Sequence, residues 1–178
     1  MTPEGDDKRN EMIWEYSNRA DPRARKLADR HYNRQKIGAP QFVPPGRCCV
    51  LYAKTETGEA FWVTSWPFPE WVKHAWKGAW VCSAFRNEGA GKASVLIRQA
   101  LSATRYLLGD PPSLGMITFI NRSKVKPIKF HGNPVWGWTY IKSGFKEVGQ
   151  TKGGLLAFQI DPDDMPPPHP PNPRRIAQ

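Results

Sequence analysis

Short apolar runs separated by polar and turn-forming residues predict a β-sheet. Runs of aliphatic, aromatic and β-branched residues bounded by Gly, Pro, Asn or Asp are typical of strands. Thr57-Gly58 lies between the first two runs, which are therefore expected to pair as a hairpin, and 149–154 is a similar turn before the last run. The predicted strands are 48–53 (CCVLYA), 60–65 (AFWVTS), 79–85 (AWVCSAF), 115–120 (GMITFI), 145–148 and 155–160 (LLAFQI).

Two longer segments carry helical signals. Residues 92–108 contain neither Gly nor Pro, and their apolar residues form one stripe at helical spacing before Gly109. Residues 8–37 are rich in Ala, Arg, Lys, Glu and Leu, and Pro22 suits a first helical turn. A short helix is also predicted over 134–143. The resulting order of elements predicts a single mixed α/β domain in which helices flank a central sheet.

Proline marks the end of the predicted domain. Seven of the 18 prolines fall among the last 18 residues, where such a density excludes a helix or a strand ladder and favours an extended, polyproline-like chain. We therefore expect an N-terminal helical segment at 1–40, a folded core at 41–161 and a disordered, Pro-rich tail at 162–178.

Size and composition restrict the class of protein. A chain of 178 residues suits one domain, and no apolar run approaches the ~18 residues of a membrane-spanning helix. The N-terminal MTPEGDD does not resemble a secretory signal, and three cysteines, two of them adjacent, do not form a disulfide framework. These features predict a reduced, cytoplasmic protein without a membrane partner, and they leave the oligomeric state open.

Positive charge is concentrated in one part of the chain. Lys and Arg number 26 against 16 Asp and Glu, for a net charge of +10, and residues 121–160 alone carry a net +6. A basic surface favours polyanions, so this segment predicts contacts with DNA phosphates, although a charge run is also common on any solvated surface. Its cations are Arg122, Lys124, Lys126, Lys129, Lys142, Lys146 and Lys152.

A glycine-rich segment joins the third predicted strand to the long helix. Glycine permits a tight turn and a close backbone approach, and the unpaired amides and dipole at a helix start suit a pyrophosphate. An ordinary strand-to-helix turn has the same composition. The candidate ligand-binding residues are Phe85, Arg86, Asn87, Glu88, Gly89, Ala90, Gly91 and Lys92.

The register of this segment, R-x-x-G-x-G, resembles the coenzyme A pyrophosphate loop of the GNAT superfamily of N-acyltransferases. That family commonly ends its last helix with a Tyr four residues before a Gly-Phe pair, as Tyr140 precedes Gly144-Phe145 here. The resemblance covers about residues 47–160. It implies a GNAT-like catalytic core that binds acetyl-CoA or a related acyl-CoA, and a tyrosine that protonates the leaving thiolate. Tyr140 as a packing aromatic beside a capping glycine is the alternative.

His31-Tyr32 resembles the His-Tyr element near the start of the Mom proteins, which are phage DNA-modification proteins with a GNAT-type fold. Phe119-Ile120-Asn121 is similar to a further Mom stretch, with Asn121 where an acidic residue is expected, and Val135-Trp136 stands where the Mom element carries a Tyr. The chain resembles a divergent relative of that family.

The Mom resemblance implies a phage- or prophage-encoded enzyme that modifies the exocyclic amine of adenine in double-stranded DNA and protects it from host restriction. The transferred group would be derived from an acyl donor and be of the carbamoylmethyl type. The implied catalytic residues are His31, Tyr32, Tyr140 and Asn121, and the involvement of a metal is left open. His31 is a candidate general base or metal ligand, or simply a residue at a helix C-terminus.

Aromatic residues cluster between the first hairpin and the third strand, among Lys73, His74 and Lys77. Exposed rings there would stack a flipped base, whereas buried rings would belong to the core. The cluster comprises Phe61, Trp62, Trp66, Phe68, Trp71, Trp76 and Trp80, of which Trp66, Trp71 and Trp76 are expected to be the exposed ones. Two further functions stay open: a GNAT acetyltransferase acting on a protein or small-molecule amine, and a non-catalytic DNA-binding protein with this fold.

Overall fold

A seven-stranded sheet organises the chain, whose structure, a computed structural model, describes residues 11–175. The elements in chain order are β1 (Glu15–Tyr16), α1 (Pro22–Asp29), β2 (Arg47–Lys54), β3 (Glu59–Trp66), β4 (Trp80–Glu88), α2 (Ala93–Leu108), β5 (Met116–Ile120), β6 (Ile128–Phe130), β7 (Asn133–Val135), α3 (Trp138–Lys142), β8 (Lys146–Gln150) and β9 (Leu156–Ile160). The mixed α/β class and the predicted strands are thereby confirmed.

The sheet has the strand order β1-β2-β3-β4-β5-β9-β8, and β6 and β7 form a separate hairpin. Among the described strands, β4 and β5 are the parallel pair, joined by α2, and all other neighbours run antiparallel. Their pairing ends at Cys82 and Thr118, although β4 continues to Glu88. The two strands therefore part at their carboxyl ends, which is where ligands bind in open α/β sheets.

Apolar side chains bury both faces of the sheet. The α2 face packs Trp62, Trp80 and Leu101 with Phe145 from the segment after α3. The opposite face packs Leu27 of α1 against Phe61 and neighbouring residues of β2 and β3. The alternation of side chains along β3 explains how one strand supplies both cores.

The N-terminal helix is much shorter than predicted. Asp21 caps α1 by accepting a hydrogen bond from the Arg23 amide, and Pro22 occupies the first turn, as expected. The residue before a proline disfavours helical backbone, and the chain ahead of Pro22 instead pairs β1 with β2. A helix over 8–37 is therefore wrong outside α1, and the part of that prediction before residue 11 lies outside the described residues.

The predicted helix at 134–143 is also wrong in its first half. Pro134 lies in β7 opposite Lys129, and α3 begins only after Gly137, whose φ is +70°. A side chain at Gly137 would lie 2.6 Å from the Phe158 ring, so glycine allows the chain to turn closely over the sheet here.

The Pro-rich tail is packed on the domain between residues 165 and 172, contrary to the expected disorder. Met165 is 6% exposed and belongs to the α2-side core. Arg105 donates to the Pro166 carbonyl at 2.9 Å, and the Asn172 amide donates to the Trp14 carbonyl at 2.8 Å. Prolines lack an amide donor but keep an acceptor carbonyl, so an extended chain without a ladder of its own still docks.

Candidate active site

A cavity of about 330 Å³ opens where β4 and β5 part. It extends from the segment after α1, across the gap between the strands, to α3. Three of the predicted catalytic side chains, His31, Tyr32 and Tyr140, line this one cavity, although they lie far apart in the sequence. The rest of the lining is formed by Asn33, Cys82, Ser83, Ala84, Phe85, Thr118, Phe119, Ile120, Val125, Lys126, Ile128, Val135, Gly137, Trp138 and Thr139.

His31 is held in one orientation by its neighbour Asn33. The Asn33 Nδ2 donates to the Ser83 carbonyl at 2.7 Å, and the Asn33 Oδ1 lies 2.6 Å from the His31 Nδ1. Because a carbonyl only accepts, the Asn33 amide must present its oxygen to the imidazole. The Asn33 backbone N–H also faces Nδ1, at 3.3 Å, but the shorter contact is with an oxygen that only accepts, which favours the hydrogen of neutral His31 on Nδ1 and the basic lone pair on Nε2.

The surroundings of His31 favour its neutral form. Burial lowers its pKa below the ordinary value of 6.5, and the nearby Arg86 charge acts in the same direction. The hydrogen bond to Asn33 and the Phe85 carbonyl oppose this shift without cancelling it. The ring also stacks on Tyr32, with centroids 4.7 Å apart. A neutral, oriented imidazole at the cavity wall is equipped to accept a proton.

Tyr140 lines the same cavity and contacts Cys82, the last residue of β4 that pairs with β5. Its hydroxyl is 3.7 Å from the Cys82 Sγ. Burial raises the pKa of Tyr140 well above its ordinary value, and burial also raises the pKa of Cys82 to about 12. Both groups are therefore protonated at neutral pH, so the Tyr140 hydroxyl keeps its proton in the cavity.

The Tyr-to-Gly-Phe spacing has a structural reason. The Phe145 amide donates to the Tyr140 carbonyl at 3.0 Å and the Gly144 amide donates to the Ile141 carbonyl at 3.1 Å, while Gly144 has φ +104°. These two bonds and the left-handed glycine form a Schellman cap. The cap ends α3 where the Tyr140 ring packs on Phe145, at 5.3 Å between centroids, so the residue both packs and faces the cavity.

Tyr32 and Asn121 lie at the boundary with a second cavity of about 300 Å³. The Tyr32 hydroxyl donates to the Phe119 carbonyl at 3.4 Å, and burial raises the pKa of Tyr32. The Asn121 Oδ1 accepts from the amide and the hydroxyl of Ser123, at 3.0 and 2.6 Å. Asn121 therefore stabilises the turn after β5, and its side-chain amide has no titratable proton for an acid or base role; its place among the catalytic residues stays a prediction.

The glycine-rich segment is shorter than the sequence indicates. Arg86, Asn87 and Glu88 belong to β4, and only 89–92 form the connection to α2. Gly89 has φ +84°, and a Cβ there would lie 2.8 Å from the Thr57 carbonyl oxygen. Asn87 closes the turn, because its Oδ1 accepts from the Ala90 amide at 2.9 Å and its Nδ2 donates to the Gly91 carbonyl at 2.7 Å.

The acidic residue beside this connection is paired with arginines, whereas the lysine at its end is exposed. The Glu88 carboxylate pairs with Arg86 and, at 2.8 Å, with Arg30. The Arg30 and Arg86 guanidinium groups together lower the pKa of Glu88 to about 2. The Arg86 guanidinium also donates to the Arg30 carbonyl, so its side chain ties β4 to the end of α1. Gly91 and Lys92 are exposed in front of the first turn of α2.

The predicted DNA-binding cations are divided between two surfaces. Lys126 lines the main cavity and Lys124 lines the second one. Arg122 and Lys129 are exposed, the latter on the β6–β7 hairpin. Lys142 lines a separate groove between α2 and α3, so it does not join the others.

Several lining residues carried no signal in the sequence. Ser83 and Thr118 occupy ordinary strand positions, and Asn33 is one polar residue in a polar segment. Their relevance depends on contacts such as Asn33 to Ser83, which span 50 residues of chain. The contact between Tyr140 and Cys82 was equally unpredictable from the sequence, because a single cysteine in a strand is usually interpreted as a buried structural thiol.

No family model, no curated protein and no solved structure matches the chain. Within residues 11–175, no three His, Cys, Asp or Glu side chains are grouped so as to hold a metal ion. In that same range, no helix is sufficiently long and apolar to cross a membrane.

Proposed function

We propose that this chain is a GNAT-type transferase of the Mom kind, which transfers an acyl-derived group from an acyl-CoA to the exocyclic amine of adenine in DNA. The observation that carries the proposal is the convergence of His31, Tyr32 and Tyr140 on one cavity. His31-Tyr32 and Tyr140 belong to separate sequence patterns that lie far apart in the chain, so their meeting in one cavity depends on the fold.

The connection from β4 to α2 fits the pyrophosphate of the donor. The first amides of a helix have no partner within it, and no described residue accepts a backbone hydrogen bond from Ala93, Ser94 or Val95. Lys92 lies beside these amides, and the Glu88 carboxylate is neutralised by its two arginines. Phosphate oxygens would therefore meet amides and a cation without an opposing free carboxylate.

The side chains of the cavity supply the two proton transfers that the reaction needs. The bound acyl-CoA supplies an electrophilic carbon attached to a thiolate leaving group. His31 Nε2 accepts the proton that the adenine amine loses as its bond to that carbon forms. Tyr140 donates its proton to the sulfur as the carbon–sulfur bond breaks, which leaves one N–H fewer and one S–H more. A proton returned from His31 to Tyr140 through solvent restores the site.

The Tyr32 ring stacks on one face of the His31 imidazole. It also lines the second cavity, from which the amine would enter. Cys82 and Thr118 contact the Tyr140 hydroxyl and keep it aimed into the gap between the strands. These residues hold the proposed acid and base in one cavity, where amine and thioester would meet.

Nucleoside mass spectrometry of DNA from cells expressing the chain tests this function. We expect an adenosine of increased mass, lost with Tyr140→Phe and kept with Tyr106→Phe, since Tyr106 is 54% exposed on α2 and lines none of the cavities described here. Unmodified DNA despite good expression contradicts the proposal. Turnover of acetyl-CoA with spermidine, together with unmodified DNA, would support an amine acetyltransferase instead.

A further inference from the structure

The aromatic cluster divides into core residues and a surface set. Phe61, Trp62 and Trp80 are fully buried. The expected exposure holds for Trp71, which is 70% exposed, whereas Trp76 is half-buried. Trp66 is also half-buried, and its indole donates to the Gly78 carbonyl at 3.3 Å. Part of the cluster therefore packs the sheet, and part is left at the surface.

The surface rings border a trough, which we define by Trp71, His74, Trp76 and Phe119. Its cavity measures about 860 Å³. The ring centroids of His74 and Trp76 lie 5.0 and 5.9 Å from that of Phe119, and 6.1 Å from each other. The rings of His74, Trp76 and Phe119 thus form one contiguous aromatic wall, and Trp71 lines the same trough.

The trough continues into the candidate active site. Phe119, Val81 and Leu155 line both the trough and the second cavity, and that cavity shares Tyr32 and Cys82 with the main one. The trough therefore adjoins the second cavity, which in turn adjoins the cavity that His31 lines. The three cavities follow one another from the surface trough to the candidate catalytic side chains, and we call this series the path.

The charge of this path is uniformly positive. Its charged lining residues are Lys73, Lys124, Lys126 and Lys152, and neither Asp nor Glu lines any of the three cavities. Glu70 precedes Trp71 but is not part of the lining. Burial lowers the pKa of His74, so its ring is a neutral stacking surface at pH 7. Aromatic faces between cations suit a chain of stacked bases with a phosphate backbone.

We propose that the trough binds unpaired nucleotides, so that the chain holds a single-stranded or locally opened DNA segment while one extruded base enters the cavity at His31. This inference rests on the proposed function, for which it names the form of the substrate. Duplex bases stack on each other and leave no face for a side chain. An amine within a duplex is also out of reach of a recessed site, so the base must leave the stack.

Fluorescence anisotropy with a labelled oligonucleotide of about 12 unpaired thymidines tests the trough. We expect tighter binding than to the matched duplex, and a Kd that Trp71→Ala raises by about 5- to 150-fold, the loss expected for one stacked base. The matched control is Tyr106→Ala, which removes an exposed ring from α2 and leaves the Kd unchanged. Lys152→Gln weakens binding, whereas Lys54→Gln, an exposed lysine at the end of β2, does not.

Competition separates stacking from charge alone. Inorganic polyphosphate, which carries no bases, should displace the oligonucleotide from wild type much less effectively than unlabelled single strand does. Equal competition by polyphosphate, preference for the duplex, or an unchanged Kd in Trp71→Ala would each overturn the proposal. If the oligonucleotide binds as predicted but cellular DNA is unmodified, the proposal that the trough binds nucleotides is retained and only the transferase function is contradicted.

Discussion

At the residue scale, a hydrogen bond from Asn33 to the Ser83 carbonyl orients the side-chain amide that faces His31. The amide in turn favours the Nδ1–H form of the imidazole. Asn33 is thus a positioning residue that acts through His31. The sequence resemblance singled out His31 and Tyr32, but Asn33 acquires its role only when β4 brings Ser83 beside it.

The His31 tautomer and pKa are measurable by nitrogen-15 NMR of the imidazole. In wild type we expect the Nδ1–H form and a titration midpoint below 6.5, because burial disfavours the charged ring. Asn33→Ala should give a mixture of tautomers while the fold is kept, and His131→Asn, a control at an exposed position with φ +48°, should leave the His31 signals unchanged. An Nε2–H form in wild type would refute the assigned orientation.

The lowered pKa of His31 also determines how the stability of the protein changes with pH. A histidine whose folded pKa is depressed binds its proton more readily in the unfolded chain. Its contribution to stability is therefore present above about pH 6.5 and is lost as the pH falls through the folded pKa. The protein is therefore expected to lose stability on mild acidification, as His31 becomes protonated.

At the scale of elements, the parting of β4 and β5 creates the site, and the connection after β4 depends on one glycine. Gly89 combines φ +84° with a close approach to the Thr57 carbonyl, whereas Gly91 has ordinary backbone and its nearest atom for an added Cβ is at 3.9 Å. The two glycines of the R-x-x-G-x-G pattern therefore have different roles. Gly89 shapes the chain, and Gly91 leaves the backbone exposed.

Alanine at these two positions should have unequal effects on stability. Gly89→Ala is expected to lower the free energy of unfolding by about 1–2 kcal/mol, since an L side chain is disfavoured there and its Cβ meets backbone. Gly91→Ala is the matched control and should change it by about 0.5 kcal/mol or less. Urea denaturation of both variants measures the difference, and equal effects would contradict this conformation of the connection.

Strands with local apolar signals were predictable, and elements that depend on tertiary contacts were not. β2, β3, α2 and β5 carry their own periodicity. The β6–β7 hairpin is largely exposed and has no apolar alternation to reveal it. Helix α1 begins only at Pro22, because the chain before it forms β1 and pairs with β2. The helix-forming composition of 8–37 gives no sign of this pairing.

At the scale of the whole molecule, the chain beyond β9 packs both on the α2-side core and along β1. Met165 fills the α2-side core, and Asn172 bonds to the backbone on both sides of Glu15, at Trp14 and Tyr16. Composition alone suggested a disordered tail, because proline density excludes regular structure. It does not exclude docking by single apolar side chains and acceptor carbonyls.

Met165→Ala should therefore destabilise the protein by about 2–5 kcal/mol, as expected for truncating a buried side chain in a packed core. Pro168→Ala, at an exposed position of the same segment, is the control and should change the stability by about 0.5 kcal/mol or less. Thermal and urea unfolding of both variants report the difference. A wild-type stability in Met165→Ala would mean that the tail is not docked.

The structure also shows which surfaces carry the basic residues of the molecule. Of the cations between 121 and 160, Lys124, Lys126 and Lys152 each line one of the three neighbouring cavities, and Lys142 faces a different groove. These three lysines are the ones that the proposed nucleic-acid binding would use. The remaining cations belong to the solvated surface.

The fraction of modified adenosine in DNA from expressing cells, measured for His31→Gln, Tyr140→Phe and the double variant, tests the central claim most directly. If the two side chains act on one amine as base and acid, each single change should reduce modification by about 100-fold or more, and the double variant should lose little beyond the singles. Wild type should yield adenosine of increased mass. Unmodified adenosine with well-expressed wild type, or single variants as active as wild type, would contradict the account.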